Sequence, residues 1–166
     1  DHGQVEIIKT PTVLEELIDS VMLKFKKRYS SQKVEIKIPD EVILIPMDAI
    51  LIEQVIINIL ENAVRHAKGM TRLLLQVNIA EGKAVFEIKD NGCGIPPKQL
   101  DMLFTGHSIA DDRPADSQKK NAGIGLSVCA AIIKAHGGII EAENIKTGGA
   151  VFRFALATEE LKDDTE

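Results

Sequence analysis

The sequence has few of the residues that build disulfide frameworks or metal centres. Its 166 residues include two cysteines, Cys93 and Cys129, which lie far apart and form no Cys-x-x-Cys pair. The four histidines are scattered, without the His-x-x-x-His spacing of a zinc site and without a visible Ser-His-Asp order. These patterns argue against a disulfide-rich secreted fold, a zinc site and a serine-hydrolase triad, and they favour a reducing cytosol.

The chain also lacks a membrane-spanning run, a signal peptide and an excess of positive charge. No apolar stretch approaches the roughly 18–20 residues of a transmembrane helix. The first residues do not show the charged-then-apolar order of a signal peptide. Lys and Arg number 20 against 25 Asp and Glu, a formal charge of −5, so no basic field exists for nucleic acid or an anionic membrane. We therefore predict a soluble domain that does not bind nucleic acid.

What is present is the composition of one globular domain. A chain that is 45% apolar and 27% charged at this length can bury a single sizeable core. It begins without Met and ends in a polar segment. We expect a domain cut from a longer protein, with a folded part over 1–158 and a polar tail over 159–166.

Hydrophobic periodicity predicts alternating helices and paired strands. Apolar residues at helical spacing follow Thr12, which is a candidate N-cap, and Asp48 is the candidate N-cap of a second helix. Strands joined by tight turns imply a mixed sheet, and three main helices must then cover one of its faces, giving a two-layer α/β sandwich. The predicted order is a helix over about 12–30, strands over 34–38 and 42–45, a helix over 48–67, strands over 73–79 and 84–90, a short helix over 96–104, an aperiodic lid-like loop over 105–122, a helix over 123–136, and strands over 139–143 and 150–156.

A polar stripe on the second helix is the first candidate for chemistry. Two asparagines, Asn58 and Asn62, lie one turn apart within an aliphatic run, although asparagine is a poor helix-interior residue. A solvated helix face is one interpretation. The other is a floor for a metal and its phosphates, in which two amide oxygens hold the ion or its waters and Arg65 meets an anion. The residues of the stripe are Gln54, Asn58, Glu61, Asn62, Arg65 and His66.

Asp90 is the second candidate. It shares strand parity with Phe86 and Ile88, so its carboxylate is predicted to point to the covered face, where it must find hydrogen-bond donors. Asn91-Gly92-Cys93-Gly94 follows at once, and its glycines allow the backbone to approach a ligand closely. A plain turn is the alternative for this segment.

The segment Gly123-Ile124-Gly125 opens the third main helix and is the third candidate. Free backbone amides and the positive end of the helix dipole at this point suit phosphate groups. It is not a dinucleotide fingerprint, because no strand leads directly into it, and no P-loop pattern occurs in the chain.

Together, these segments resemble a known family. ENAVRHA with Asn58 ahead of it, DNGCGIP, GIGLSVCAAIIKAHGG and TGGAVF occur in the order and spacing of the asparagine box and three glycine boxes of sensor histidine kinase catalytic domains, which belong to the GHKL ATPase superfamily. The resemblance covers about residues 5–157, and within the family the phrases are most similar to the Kdp potassium-responsive sensor kinases. It implies the Bergerat fold, a mixed five-stranded sheet covered on one face by three helices.

The resemblance also implies a role for each matching residue. Asp90 would accept the adenine amino group, and Asn62 would ligate Mg²⁺, with Asn58 beside it. The sequence departs from the family pattern at two places. Only Phe104 represents the paired phenylalanines that usually precede the lid, which bears on docking of the dimerisation helices. Asn121 stands where a further glycine is usual, which bears on how the lid closes. The base pocket would be formed by Gly92, Gly94 and Ile95. The phosphates would be contacted by Arg65, where lysine is more usual, and by His66. The lid hinge would be formed by Gly123, Ile124, Gly125 and Leu126.

The function implied is ATP-dependent phosphorylation of a histidine. Mg·ATP bound here would donate its γ-phosphoryl group to a histidine on dimerisation helices that this chain lacks, so the chain alone is not expected to phosphorylate itself. The implied partners are those helices and a cognate response regulator, and the parent would be a homodimer in the bacterial cell membrane with this domain in the cytoplasm. Hydrolytic GHKL ATPases and anti-sigma serine kinases are disfavoured, because Asn58 occupies the position of their water-activating glutamate. A nucleotide-sensing module without transfer remains an alternative.

Overall fold

The computed structural model describes residues 5–105 and 125–159. The predicted lid over 105–122 lies outside these residues apart from Thr105, and the predicted tail lies outside them apart from Glu159. In the described part the elements are β1 Thr10–Val13, α1 Leu14–Arg28, β2 Glu35–Lys37, β3 Leu44–Met47, α2 Ala49–His66, β4 Leu73–Ala80, β5 Lys83–Asp90, α3 Pro97–Leu100, α4 Leu126–Ala135, β6 Ile140–Asn144 and β7 Ala150–Ala157.

Five of the strands described form the main sheet, in the order β2-β4-β5-β7-β6. β2 runs parallel to β4, and the other neighbours are antiparallel, so the sheet is mixed as predicted. Along β5 the buried Ala84, Phe86 and Ile88 alternate with half-buried residues, which confirms the predicted covered face. Phe86 also stacks on Phe154 of β7, with ring centroids 4.8 Å apart.

Within the described residues, three helices cover that face. α2 lies between α1 and α4 and packs against both, and the buried apolar residues of the helices and the sheet form one continuous core. The predicted cap of α2 is confirmed, because Asp48 Oδ1 accepts a hydrogen bond from the Leu51 amide at 3.4 Å. The predicted two-layer α/β sandwich is therefore confirmed. None of the helices described combines the length and the apolar character that crossing a membrane requires.

A small two-stranded ribbon was not predicted. β1 pairs antiparallel with β3, from Thr10 opposite Met47 to Val13 opposite Leu44, so the strand predicted over 42–45 lies outside the main sheet. The N-cap predicted for Thr12 is wrong. Thr12 is a strand residue whose hydroxyl donates to the Thr10 carbonyl, and the cap position of α1 is Val13, which has no side-chain cap bond.

His136 joins the end of α4 to the start of α2. It is 5% exposed, its Nδ1 lies 2.8 Å from the Ile132 carbonyl, and its Nε2 accepts a hydrogen bond from the Asp48 amide at 3.0 Å. This pattern requires the neutral imidazole, with the proton on Nδ1. Burial is the main cause that lowers the pKa of His136 below its usual value.

The lowered pKa predicts an acid-dependent loss of stability. As the pH falls below about 6.5, His136 takes up a proton in the unfolded chain before it does so in the folded chain, so the free energy of unfolding falls until the pH passes the folded-state pKa. We expect His136→Ala to be less stable at pH 7 but to show a shallower decline between pH 7 and 5. Urea titrations at several pH values test this, and an unchanged slope in the variant would assign the decline to other groups.

Candidate functional site

The predicted site residues lie where three parts of the fold converge: the second half of α2, the loop that follows β5, and the start of α4. A Cβ added to Gly92 of the loop would lie 2.7 Å from the Ala67 Cβ, so the loop passes directly against the end of α2. α2 also meets α4 through Asn58 and Cys129. These contacts connect the segments that carry the predicted residues, while Gly123 and Ile124 lie outside the described residues. The connected residues are Asn58, Asn62, Arg65 and His66 on α2, Asp90, Gly92, Gly94 and Ile95 at the end of β5 and in its loop, and Gly125 and Leu126 at the start of α4.

Asn58 is buried between two helices and is not part of a solvated helix face. The residue is 4% exposed, and its Nδ2 donates to Cys129 Sγ at 3.4 Å. Burial raises the pKa of the Cys129 thiol to about 12, so the sulfur that accepts this bond is neutral at ordinary pH. Cys129 is therefore a packing and hydrogen-bonding residue, and the solvated-face interpretation is wrong for Asn58.

Glu61 is buried on another side of α2. It is 2% exposed and pairs with Arg28 of α1 at 3.1 Å, while its other oxygen lies 3.9 Å from Arg65. A buried carboxylate is stable when it is paired in this way. The predicted polar stripe is therefore divided: Asn58 faces α4 and Glu61 faces α1, whereas Gln54 and His66 are exposed.

Asn62 lies one turn after Asn58 and is half-buried. In the described part of the chain its side chain makes no hydrogen bond, so its amide oxygen is available to a ligand. Mg²⁺ binds hard oxygen donors and commonly takes only one or two from the protein, with phosphates and water completing its shell. No group of three or more His, Cys, Asp or Glu able to hold a metal occurs within the described ranges. A magnesium ion at this site would thus depend on Asn62 together with a phosphate ligand.

Asp90 ends β5 with its side chain on the covered face of the sheet, as its strand parity predicts. It is 8% exposed, and Oδ1 accepts a hydrogen bond from the Gly92 amide at 2.8 Å. Across residues 5–105 and 125–159 its Oδ2 has no hydrogen-bond donor. One oxygen of a mostly buried carboxylate is therefore satisfied by the loop, and the other is free to accept a bond from a ligand.

The loop after Asp90 is fixed at its first residue by a side chain that the sequence alone indicates only as part of a turn. Asn91 Oδ1 accepts hydrogen bonds from the Thr71 and Arg72 amides, both at 2.8 Å, and Nδ2 donates to the Thr71 hydroxyl at 2.7 Å. Asn91 thereby ties the loop to the start of β4.

A second asparagine, which no sequence motif indicates, fixes the far end of the loop. Asn144, the last residue of β6, accepts from the Ile95 amide at 2.7 Å and donates to the Ile95 carbonyl at 2.8 Å. The β6–β7 turn lies equally close, because a Cβ on Gly149 would overlap the Asp90 carbonyl oxygen. The conformation of the loop is thus set by contacts on both sides.

The start of α4 faces the same region. Gly125 occupies the N-cap position without a side-chain cap, and the Val128 and Cys129 amides bond to its carbonyl. Helix geometry leaves the first amides of such a helix without backbone acceptors, and the dipole is positive there. Leu126, in the first turn, is half-buried against the core. This end of α4 suits an anionic group.

Phe104 packs onto the main sheet. Its ring meets Phe152 of β7 edge-on, with centroids 6.2 Å apart and an interplanar angle of 86°. The side chain is half-buried, so part of its surface contributes to the core. Phe104 therefore anchors the segment that leads toward the predicted lid.

Comparisons with known proteins agree with this arrangement. A family model described as histidine kinase-, DNA gyrase B-, and HSP90-like ATPase matches residues 47–160. The sensor protein KdpD of Clostridium acetobutylicum is 38% identical over 96% of this chain, and KdpD of Escherichia coli is 34% identical over 93%. The chain spans only 18% and 17% of the lengths of these two relatives.

Solved structures show the same fold. The catalytic domain of histidine kinase ThkA aligns over 92% of this chain and 97% of its own length, with a TM-score of 0.76 and 24% identity. ThkA has also been solved in complex with the response regulator protein TrrA. That ThkA chain aligns over 91% of this chain and 42% of its own length, with a TM-score of 0.70 and 24% identity. Because the family model covers more than half of the sequence, the chain belongs to the histidine kinase-, DNA gyrase B- and HSP90-like ATPase family.

Proposed function

We propose that this domain binds Mg·ATP and presents its γ-phosphoryl group to a histidine on the dimerisation helices of the same kinase. The observation on which the proposal depends is Asp90, a mostly buried carboxylate with one oxygen satisfied by Gly92 and the other free. No side-chain oxygen or nitrogen in the described part of the chain is both buried and unpaired, so Oδ2 is open to solvent. A ligand that displaces its water must bring an N–H donor, because leaving the acceptor unpaired would be costly. The 6-amino group of adenine is such a donor.

The neighbouring residues suit the rest of the nucleotide. Gly92, Gly94 and Ile95 would form the wall beside the base. Asn62 offers an amide oxygen for Mg²⁺, and the start of α4 offers amides and a positive dipole for the phosphates. The bound ion would neutralise phosphate charge. Arg65 lies on the same face of α2 as Asn62, where its guanidinium can contribute further positive charge.

Transfer needs positioning more than covalent chemistry from this chain. The imidazole nitrogen of the acceptor histidine attacks the γ-phosphorus, the bond from that phosphorus to the bridging oxygen of ADP breaks, and the phosphoryl group passes directly to the imidazole. Asp90, Asn62 and the α4 amides would hold the base, the metal and the phosphates in line for this attack, and Arg65 would support the phosphate end. Asn58 would act indirectly, by holding α2 against the start of α4 through its bond to Cys129. No group of this chain forms a bond to phosphorus.

Hydrolysis as the main activity is disfavoured by two side chains. Asn58 lies four residues before the metal asparagine, where a glutamate would be needed to activate water. Glu61, the nearest acid in sequence, is held in ion pairs with Arg28 and Arg65. A domain that only senses nucleotide remains the second candidate.

The larger protein is proposed to be a sensor kinase of the KdpD type. The identity to two KdpD proteins supports a response to potassium, and the ThkA complex with TrrA supports a response regulator as the phosphoryl acceptor downstream. In this proposal the parent is a membrane-bound homodimer with the present domain on its cytoplasmic side.

Phosphotransfer is tested by mixing this domain, radiolabelled ATP and the dimerisation-helix fragment of the same kinase. We expect acid-labile label on the fragment, none on the domain alone, and little free phosphate. Binding of ATP without any label on the fragment would favour the nucleotide-sensing module. Rapid phosphate release by the domain alone, abolished in Asn62→Ala, would instead indicate a hydrolytic ATPase.

The metal role of Asn62 predicts a magnesium-dependent defect. Asn62→Ala should weaken binding of Mg·ATP by about tenfold or more while leaving ATP in EDTA nearly unchanged, since the lost group contacts the ion. Calorimetry with and without Mg²⁺ measures both affinities, and Asn78→Ala on the exposed part of β4 is the matched control. Equal losses under the two conditions would contradict the assignment.

A further inference from the structure

Asn144 uses its whole side-chain amide to hold one residue of the loop after Asp90. Its Oδ1 accepts from the Ile95 amide at 2.7 Å, and its Nδ2 donates to the Ile95 carbonyl at 2.8 Å. Both bonds are short, and together they fix the orientation of the carboxamide and the plane of the Ile95 backbone. The two residues are 49 positions apart in sequence, so this contact joins the end of β6 to the loop.

The packing around these bonds is equally close. Gly94 has a φ of +79°, and a Cβ there would lie 2.9 Å from Asn144 Oδ1. At the other end of the loop Asn91 is bonded to Thr71 and Arg72. The loop segment from Asn91 to Ile95 contains Gly92 and Gly94, the proposed wall of the base pocket. The Gly92 amide also donates the hydrogen bond that Asp90 Oδ1 accepts.

Release of one end of this segment would affect Asp90. The Gly92 amide holds Oδ1 and thereby orients Oδ2, and the position of Gly92 depends on a loop that is fixed at Asn91 and Ile95. A site discriminates strongly between ligands when its buried polar groups are held in one geometry. Adenine presents a 6-amino donor to Oδ2, whereas guanine presents a 6-oxo acceptor.

We propose that Asn144 is a positioning residue that sets the base-pocket wall and thereby the preference of this domain for adenine over guanine. The inference rests on the proposed function, because it requires that a purine nucleotide binds against Asp90. Asn144 does not contact the nucleotide. It acts through Ile95 and the loop that orients the Asp90 carboxylate.

The ratio of ATP to GTP affinity tests this role. We expect Asn144→Ala to bind Mg·ATP about three- to tenfold more weakly, the effect of losing a pair of neutral hydrogen bonds, while Mg·GTP affinity changes less, so that the ratio falls. Asn144→Asp keeps the volume and the acceptor for the Ile95 amide but loses the donor, and its ratio should also fall. Asn78→Ala should leave the ratio unchanged.

A double-mutant cycle separates positioning from general destabilisation. If Asn144 acts through Asp90, the loss in ATP affinity from Asn144→Ala should be much smaller in an Asp90→Asn background. Equal losses for ATP and GTP, or additive effects in the cycle, would overturn the inference and leave the proposed function intact. A wild-type domain that binds neither nucleotide would overturn the proposed function, and this inference with it.

Discussion

Asp90→Asn is expected to weaken ATP binding about tenfold to a hundredfold, which corresponds to roughly 1–3 kcal/mol. The native carboxylate accepts from the Gly92 amide through Oδ1 and leaves Oδ2 for the ligand. The carboxamide of the variant has only one oxygen. Its NH₂ group must face either the Gly92 amide or the adenine amino group, and a donor then opposes a donor in a mostly buried place.

Calorimetric titration with Mg·ATP measures this loss, and Asp40→Asn provides the matched control on an exposed loop. The control should bind as the wild type does. The variant should also discriminate less between ATP and GTP, because its NH₂ group can donate to the 6-oxo group of guanine. A well-folded Asp90→Asn domain with wild-type affinity would refute the contact between this carboxylate and the base.

The position of Asp90 could be predicted because it follows from strand parity alone. Phe86, Ile88 and Asp90 alternate along β5, and one side of the sheet had to be covered by helices. The Asp48 cap of α2 and the order of the main elements depend on local chemistry in the same way. Their agreement with the structure reflects sequence signals that act within a few residues.

The burial and the partners of the polar residues on α2 could not be predicted, because they depend on residues elsewhere in the chain. A helical wheel places Asn58 and Glu61 in one stripe. The structure separates them because Arg28 of α1 approaches on one side and Cys129 of α4 on another. Neither partner is close in sequence, and no periodicity indicates them.

Short elements with distant partners were missed for the same reason. β1 has four residues, includes Pro11, and exists as a strand because β3 pairs with it. Asn144 stands at a strand end, where asparagine usually indicates a turn. Only the folded chain places the Ile95 backbone opposite its side chain. These non-local contacts nevertheless shape the site.

Gly149→Ala is expected to be the most destabilising single methyl addition in the β6–β7 turn, with a loss of about 3–5 kcal/mol in the free energy of unfolding. Gly149 has a φ of +96°, in a region that side chains other than glycine rarely adopt. A Cβ would also overlap the Asp90 carbonyl oxygen and lie 2.8 Å from the Asn91 Cα. Both neighbours are backbone atoms, so a side-chain rotation cannot relieve the overlap.

Gly148 supplies the matched control, because it differs from Gly149 in contacts and not in the sign of φ. Its φ is +119°, and a Cβ there would meet no atom within 4 Å. Gly148→Ala should therefore lose only the backbone strain, about 1–2 kcal/mol. Urea denaturation of the two variants gives the difference in the free energy of unfolding that is due to the clash with Asp90 and Asn91.

Any folded fraction of Gly149→Ala should bind ATP weakly, because the overlap displaces the residue that accepts the adenine amino group, whereas Gly148→Ala should bind normally. Equal destabilisation of the two variants would show that the β6–β7 turn moves away from Asp90 at little cost, and the turn would then have no part in fixing the base pocket.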